Sequence, residues 1–199
     1  MSGPLRVALV GPQDLADAWT RAFRGTPVSI QVGDILSEAR EQALVSPANS
    51  FGWMTGGLDL GITWAYGRTL DIGRRVRAAI TQDAAGELPV GQALVVSTPE
   101  GPYTHLVCAP TMRTPQVVAT SLNAYLAFRA VLLAVRTWNA RMPTDPIRQV
   151  FCPGLGTGVG AMPPARAARQ MRAAWDQVMA PGPLPRLDQA ARDEARWRA

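Results

Sequence analysis

The stretch IRQVFCPGLGTGVGAMPP, residues 147–164, decides the fold class of this chain. Residues 147–152 lie between two prolines and contain Ile, Val, Phe and Cys, and we predict a short β-strand there. Glycine then occupies every second position from 154 to 160, and Pro163 or Pro164 suits the first turn of a helix. A strand, a glycine-rich turn and a helix in this order are typical of α/β domains.

The same alternation of strands and helices extends through the rest of the chain. Short aliphatic runs predict strands, and apolar residues at helical spacing predict helices. We predict strands at residues 5–10, 28–32, 43–46, 93–97 and 103–109, and helices between Asp14 and Gly25, at 58–65, 70–80 and 115–138, and after Pro163 or Pro164. Asp14 is the predicted N-cap of the first helix. We therefore expect an α/β layered sandwich whose ligands bind beyond the strand ends.

The size of the chain limits its domain organisation. A chain of 199 residues, of which 47% are hydrophobic, can bury the core of one domain but is short for two. We assign residues 1–182 to this domain, with an N-terminal βα extension at 1–27. Residues 183–199 follow a Pro-Gly-Pro segment and form a charged C-terminal tail. This tail is expected to be either a surface helix or disordered.

The apolar segments of the sequence argue against a membrane or secreted protein. No apolar run reaches the roughly 20 residues that a membrane span needs, and the first residues do not resemble a secretory signal. Cys108 and Cys152 lie in apolar segments, where cysteine usually behaves as a small buried hydrophobe rather than half of a disulfide. We therefore expect a cytoplasmic protein without a membrane contact.

The positive charge of the chain suggests a nucleic-acid partner only weakly. The net charge is +5 at pH 7, but all 20 basic residues are arginine and they are spread along the chain without interleaved aromatic residues. Arg166, Arg169 and Arg172 recur at helical spacing, and we interpret them as the solvated face of the last core helix. We rank nucleic-acid binding below the other hypotheses, although the positive potential favours any ligand that carries phosphates.

The single histidine is not a strong candidate for chemistry. His105 lies within an apolar strand, where a histidine is more often a hydrogen-bonded core residue than a base or a ligand. The spacing of His105, Cys108 and Cys152 does not match a closed zinc site. We therefore expect neither a bound metal nor a cofactor.

The glycine run after residue 152 predicts an anion site. The backbone N–H groups of residues 154–160 can converge on a phosphate, helped by the positive end of the following helix. The alternative is a turn that merely packs closely. A Walker A loop is excluded because the sequence contains no lysine, and the glycine spacing does not fit a Rossmann fingerprint.

A second candidate segment, SPANSFGWMTGGLDLGI, occupies residues 46–62, where a predicted strand ends. Asn49 offers a donor and an acceptor to sugar hydroxyls, and Asp59 could accept a hydroxyl or orient a water. Taken singly, Asn49 could instead form a turn, and Asp59 could be an acid that favours a helix N-terminus. Trp53 could cover a bound nucleotide or serve packing alone.

Together these segments resemble the macrodomain family, in the family's order and over residues 28–180. The resemblance is carried by GDI at 33–35, SPANS at 46–50, TGGLDLGI at 55–62, PVGQALVVS at 89–97, THLVCAP at 104–110 and PGLGTGVGAMPP at 153–164. It implies a three-layer α/β/α sandwich with a central mixed sheet. It also implies binding of ADP-ribose or a related NAD-derived nucleotide, and hydrolysis of ADP-ribosyl linkages to a protein or small molecule.

The resemblance implies a role for each matching residue. Asp34 would accept a hydrogen bond from the adenine amino group, with Ile35 beside it. Asn49 would contact the distal ribose, and Asp59 would lie near the anomeric carbon and assist an attacking water. The diphosphate would lie between two backbone loops, formed on one side by Gly56, Gly57 and Leu58 and on the other by Gly156, Thr157, Gly158, Val159 and Gly160.

Two positions depart from the family pattern. Thr63 stands where hydrolase-type members often carry a histidine, and Gly160 stands where an aromatic residue commonly follows the second loop. Catalysis and the contact with the distal ribose depend on these side chains, whereas diphosphate binding by the backbone does not. A hydrolase and a non-catalytic reader of ADP-ribose are therefore both open hypotheses.

Overall fold

The computed structural model describes residues 5–37, 42–67 and 70–199, which form six strands and six helices. In chain order the elements are β1 (Arg6–Gly11), α1 (Gln13–Ala22), β2 (Ser29–Val32), β3 (Ala43–Ser46), α2 (Gly57–Tyr66), α3 (Ile72–Ala84), β4 (Leu94–Ser97), β5 (His105–Cys108), α4 (Asn123–Arg141), β6 (Gln149–Cys152), α5 (Pro164–Met179) and α6 (Leu187–Arg198). Each predicted strand is present, with ends that differ by at most a few residues.

The strands form one sheet in the order β2-β1-β6-β3-β5-β4. All neighbouring strands pair in parallel except β4, which runs antiparallel to β5. The sheet is therefore mixed, as predicted. The strand β1 lies between β2 and β6, so the N-terminal strand is an interior strand of the sheet rather than an edge strand.

Helices cover both faces of this sheet. Alternate residues of each strand point to opposite faces, so one strand can contact helices on both sides. Val7 and Leu9 of β1 belong to a hydrophobic core with α1, α4 and α5, whereas Ala8 and Val10 belong to a second core with α2 and α3. The same strand thus contributes to two cores. This arrangement confirms the three-layer α/β/α sandwich.

The predicted helix at 115–138 begins only at Asn123. The preceding residues fold against the loop that follows β6: Val118 N–H donates to Gly160 O at 2.8 Å, and Ser121 N–H donates to Val118 O at 3.0 Å. Because this backbone is engaged with another loop, it cannot continue the helix. The prediction of Asp14 as an N-cap is also wrong, since α1 begins at Gln13 and has Pro12 as its N-cap.

The arginines of α5 are not a solvated face, which corrects the sequence interpretation. Arg166 Nη1 donates to Ala119 O at 2.5 Å, and Arg172 Nη1 donates to Ala22 O at 2.7 Å. Arg169 Nη1 donates to Arg196 O at 3.3 Å. Because Ala22 is the last residue of α1, Arg172 places a cation where the carbonyl groups of that helix need one.

The C-terminal tail contains the helix α6, which packs on α5. The ring of Trp197 stacks on Tyr125 of α4 with centroids 4.5 Å apart, and Gln170 Nε2 donates to Trp197 O at 3.2 Å. Of the two alternatives for the tail, the structure shows the surface helix. Among the helices of the described residues, none has both the length and the apolar character needed to cross a membrane.

We expect Trp197→Ala to lower the free energy of unfolding by about 1–2 kcal/mol, because it removes an aromatic stack and the partly buried surface beneath it. Urea denaturation followed by circular dichroism measures this change. Arg192→Ala is the matched control on α6: its exposed ion pair with Asp188 should contribute less than about 0.5 kcal/mol. Equal stability of the two variants would contradict the docking of α6.

Candidate functional site

The candidate site is a cavity of about 660 Å³ at the edge of the sheet where β1, β2, β3 and β6 end. Parallel pairing brings the carboxyl ends of these strands to the same edge, so the loops that follow them meet there. All predicted site residues line this one cavity: Asp34, Ile35, Asn49, Gly56, Gly57, Leu58, Asp59, Gly156, Thr157, Gly158, Val159 and Gly160. The structure thus places residues that are more than a hundred positions apart in the sequence in the lining of one cavity.

The loop after β6 contains glycines with different structural demands. A Cβ atom at Gly160 would lie 2.5 Å from Gly156 O and 2.6 Å from Val118 Cγ2. Position 160 therefore has no room for the aromatic side chain that the family commonly carries, because the Gly156 carbonyl and the Val118 side chain occupy that space. A Cβ atom at Gly158, by contrast, would meet no heavy atom of the described chain within 4 Å. Gly158 leaves this part of the cavity wall as bare backbone.

Three helices begin at the cavity. Pro12, Gly57 and Pro164, which lie at the N-termini of α1, α2 and α5, all line it. Within the described chain, none of the three N-cap residues supplies a side-chain hydrogen bond to its helix. The first N–H groups of a helix and its macrodipole favour an anion. The three N-termini therefore point N–H groups and positive helix ends toward the cavity, whose lining also contains the carboxyl groups of Asp14, Asp34 and Asp59.

Asn49 lines the cavity, but its side chain is already engaged in the loop 50–53. Its Oδ1 accepts from Phe51 N–H at 3.1 Å and from Trp53 N–H at 3.2 Å, and its Nδ2 donates to Trp53 O at 3.0 Å. The turn-forming role, which the sequence left open, is thus present. Asn49 thus holds the loop that carries Trp53.

Asp59 lies in the first turn of α2 and is only 8% exposed. Burial raises the pKa of its carboxyl from 3.8 to about 6, although a hydrogen bond from Ser46 Oγ to Asp59 Oδ1, at 2.6 Å, opposes part of this increase. Beneath it, burial and the Asp59 carboxylate raise the pKa of the Cys108 thiol. The carboxyl is thus poised to exchange a proton close to neutral pH.

Sequence reasoning missed Ser46 as part of the site. Ser46 is fully buried at the end of β3, three residues before Asn49. A small hydroxyl residue at the end of a buried apolar strand was the available signal, because a buried hydroxyl needs a polar partner. Thr63, which stands where a histidine is common in the family, donates from Oγ1 to Asp59 O at 3.0 Å and so supports the backbone of α2.

At the opposite end of the cavity, the Asp34 side chain is exposed. Its Oδ1 accepts from Leu36 N–H at 2.9 Å. Ile35 beside it is buried, and its carbonyl accepts from Tyr103 Oη at 2.9 Å. The GDI segment is therefore anchored through Ile35 while Asp34 faces solvent and the cavity.

His105 is a core residue, as predicted. Its Nδ1 lies 2.9 Å from Thr104 Oγ1, its Nε2 lies 3.0 Å from Asp145 Oδ2, and the ring packs edge-on against Trp138. Cys108 and Cys152 are both fully buried free thiols, which confirms their assignment as small core residues. In the described parts of the chain, no group of three or more His, Cys, Asp or Glu side chains could hold a metal ion.

A family model of the Macro domain matches residues 45–171, which is more than half of the chain. The chain belongs to the macrodomain family. An uncharacterized protein of Aeropyrum pernix is 31% identical over 153 residues, which cover 76% of this chain and 71% of that protein.

Solved macrodomain structures share the fold. The macrodomain of Mycobacterium tuberculosis DarG is 22% identical with a TM-score of 0.57, over 73% of this chain and 88% of that one. Thermosipho africanus DarTG, solved in complex with ADP-ribose, is 15% identical with a TM-score of 0.55, over 90% of this chain and 51% of that one. At these identities the likeness establishes the fold.

The buried carboxyl of Asp59 should make stability depend on pH. A pKa that rises from 3.8 to about 6 on folding means that the native state binds more protons between these values. Stability is therefore lost as the pH rises through this window, by up to about 3 kcal/mol for the full pKa difference. We expect Asp59→Asn, which carries no charge, to escape this loss and to gain stability relative to wild type.

Urea denaturation of both proteins at pH 4, 5, 6 and 7 measures this effect. The difference in free energy of unfolding should shift in favour of Asp59→Asn as the pH increases. A difference that does not change with pH would show that Asp59 titrates as an exposed carboxyl does. Asp83→Asn, on the exposed side of α3, is the matched control.

Proposed function

We propose that this macrodomain binds ADP-ribose and hydrolyses ADP-ribosyl linkages. The observation that carries the proposal is the order of the site residues along one edge of the sheet. Asp34 follows β2, the glycine loop 154–160 follows β6, and Asn49 and Asp59 follow β3. Because β1 and β6 lie between β2 and β3, the two ends of the cavity are three strand spacings apart, or about 14 Å.

A diphosphate flanked by two riboses fits this order. The central loop offers backbone N–H groups and the bare surface at Gly158, where a phosphate can approach the main chain closely. The N-termini of α1, α2 and α5 supply positive helix ends, and these take the place of basic side chains, since no Lys or Arg is among the described residues that line the cavity. The adenine then lies at the Asp34 end and the distal ribose at the Asp59 end.

A relative of the same fold supports this assignment of the ligand. Thermosipho africanus DarTG was solved in complex with ADP-ribose, and that chain shares the macrodomain fold. In the present chain, the exposed Asp34 carboxylate can accept from the adenine amino group, a charged hydrogen bond that exceeds a neutral one in strength. Base recognition therefore depends on one side chain, whereas diphosphate recognition depends on the backbone.

Asp59 supports hydrolysis rather than binding alone. A carboxyl with a pKa of about 6 is mostly ionised at neutral pH, and it is a stronger base than an ordinary aspartate. Held at the distal-ribose end by Ser46, it can accept a proton from a water that attacks the anomeric carbon. The linkage between that carbon and the acceptor breaks as the new C–O bond forms, and the released acceptor takes up a proton. The reader hypothesis is favoured by Thr63 and by the engagement of Asn49, because neither can act as a second acid or base.

Gly158→Glu tests the ligand site. The new side chain fits beside the protein but extends a negative charge into the space assigned to the diphosphate, so we expect at least 100-fold weaker ADP-ribose binding by calorimetry, or about 2.7 kcal/mol. Gly182→Glu is the matched control, because its Cβ also meets no described heavy atom within 4 Å but it does not line this cavity. Equal affinities of the two variants would contradict the proposed site.

Asp59→Ala separates hydrolysis from binding. Because a base acts mainly in the transition state, we expect ADP-ribose affinity within about tenfold of wild type but release of ADP-ribose at least about 100-fold slower. The assay uses ester-linked and N-glycosidic ADP-ribosyl substrates, with Asp83→Ala as the control carboxylate. Wild type that binds ADP-ribose but cleaves no substrate would support the reader hypothesis and overturn the hydrolase.

A further inference from the structure

Trp53 is an exposed aromatic residue on the wall of the cavity. It is 47% exposed and lines the cavity, and its ring stacks on Phe51 with centroids 4.9 Å apart and planes 25° apart. Among the described residues that line the cavity, it is the only aromatic one. Trp53 therefore combines packing against Phe51 with a large apolar surface that stays open to solvent at the cavity wall.

The backbone of Trp53 is held in place before any ligand binds. Both its N–H and its carbonyl are hydrogen-bonded to the amide of Asn49, at 3.2 and 3.0 Å. The ring beneath it is supported as well: the Arg113 guanidinium lies 4.9 Å from the Phe51 centroid and is held by Glu87 in a bidentate ion pair. These contacts order Trp53 in the free protein, so less conformational entropy is lost when a ligand binds.

The position of Trp53 within the cavity defines what it can contact. It follows β3 between Asn49 and the loop of Gly56 and Gly57, and so lies at the Asp59 end. The other end, at Asp34, is separated from it by the strands β1 and β6. Because residue 160 is glycine, the opposite loop offers no ring at that position.

We propose that Trp53 forms a subsite for a planar heteroaromatic ring joined to the anomeric carbon of the distal ribose. This inference rests on the proposed orientation of ADP-ribose. An indole stacks with any flat heteroaromatic ring and attracts a cationic one more strongly. The preferred substrate is then an N-glycosidic ADP-ribosyl group on such a ring, rather than an ester of an aliphatic side chain.

Three probes test this subsite because they differ only at the anomeric carbon. ADP-ribose carries no ring there, NAD⁺ carries a cationic aromatic ring, and NADH carries a neutral dihydropyridine ring that is not aromatic. Calorimetry of wild type, Trp53→Ala, Trp53→Phe and Trp64→Ala with each probe gives the affinities, and circular dichroism verifies the fold. Trp64 is the matched control, because it is 72% exposed on the neighbouring helix α2 but does not line the cavity.

For Trp53→Ala we expect at least about fivefold weaker binding of NAD⁺, the low end of base–aromatic stacking, a smaller loss for NADH, and ADP-ribose affinity within about twofold. Trp53→Phe should retain most of the ring affinity, and Trp64→Ala should change none. Equal losses for all three probes, no loss at all, or a loss confined to NADH would each overturn the subsite. Wild type that binds none of the probes would overturn the proposed function itself, and the subsite with it.

Discussion

The parallel pairing of β2, β1, β6, β3 and β5 is the constraint on which the rest of the structure depends. It directs the carboxyl ends of these five strands to one edge, and every loop with a candidate functional residue follows one of them. The strand β1 is essential to this arrangement because it joins β2 to β6. Without β1, the GDI segment and the glycine loop would have no fixed separation, and a ligand that spans both would have no defined length.

The glycine loop after β6 is supported from behind by two residues of α5. Arg166 donates to Ala119 O and Gln170 Nε2 donates to Ser121 O at 2.8 Å, so both hold the segment whose Val118 packs against the loop. The same two side chains also bind carbonyl groups at the end of α6, at Ala199 and Trp197. The C-terminal helix is therefore connected to the site through one layer of hydrogen bonds, although it does not line the cavity.

The sequence revealed those features that depend on local chemistry. Residues adjacent in the sequence determine a glycine-rich turn, an apolar strand and a helix that starts at a proline. The strands and the lining of the cavity could therefore be predicted. Features that depend on distant contacts could not. The segment before Asn123 has helical spacing but pairs with Gly160, and the arginines of α5 look solvated until the carbonyl groups of other elements meet them. The hydrogen bond from Ser46 to the Asp59 carboxyl depends on α2, which brings the two side chains together.

Asp59 and the proposed diphosphate place two negative groups in the same cavity, which links ligand binding to protonation. Burial already disfavours the charged carboxylate and holds its pKa at about 6. A bound diphosphate would disfavour that charge further, because a like charge nearby raises the pKa of a carboxyl. The N-terminus of α2 and the Ser46 hydroxyl act in the opposite direction and stabilise the anion. These two groups are in place with or without a ligand, so their effect on the pKa does not change on binding. The diphosphate therefore raises the pKa of the carboxyl, which becomes a stronger base once the ligand is bound.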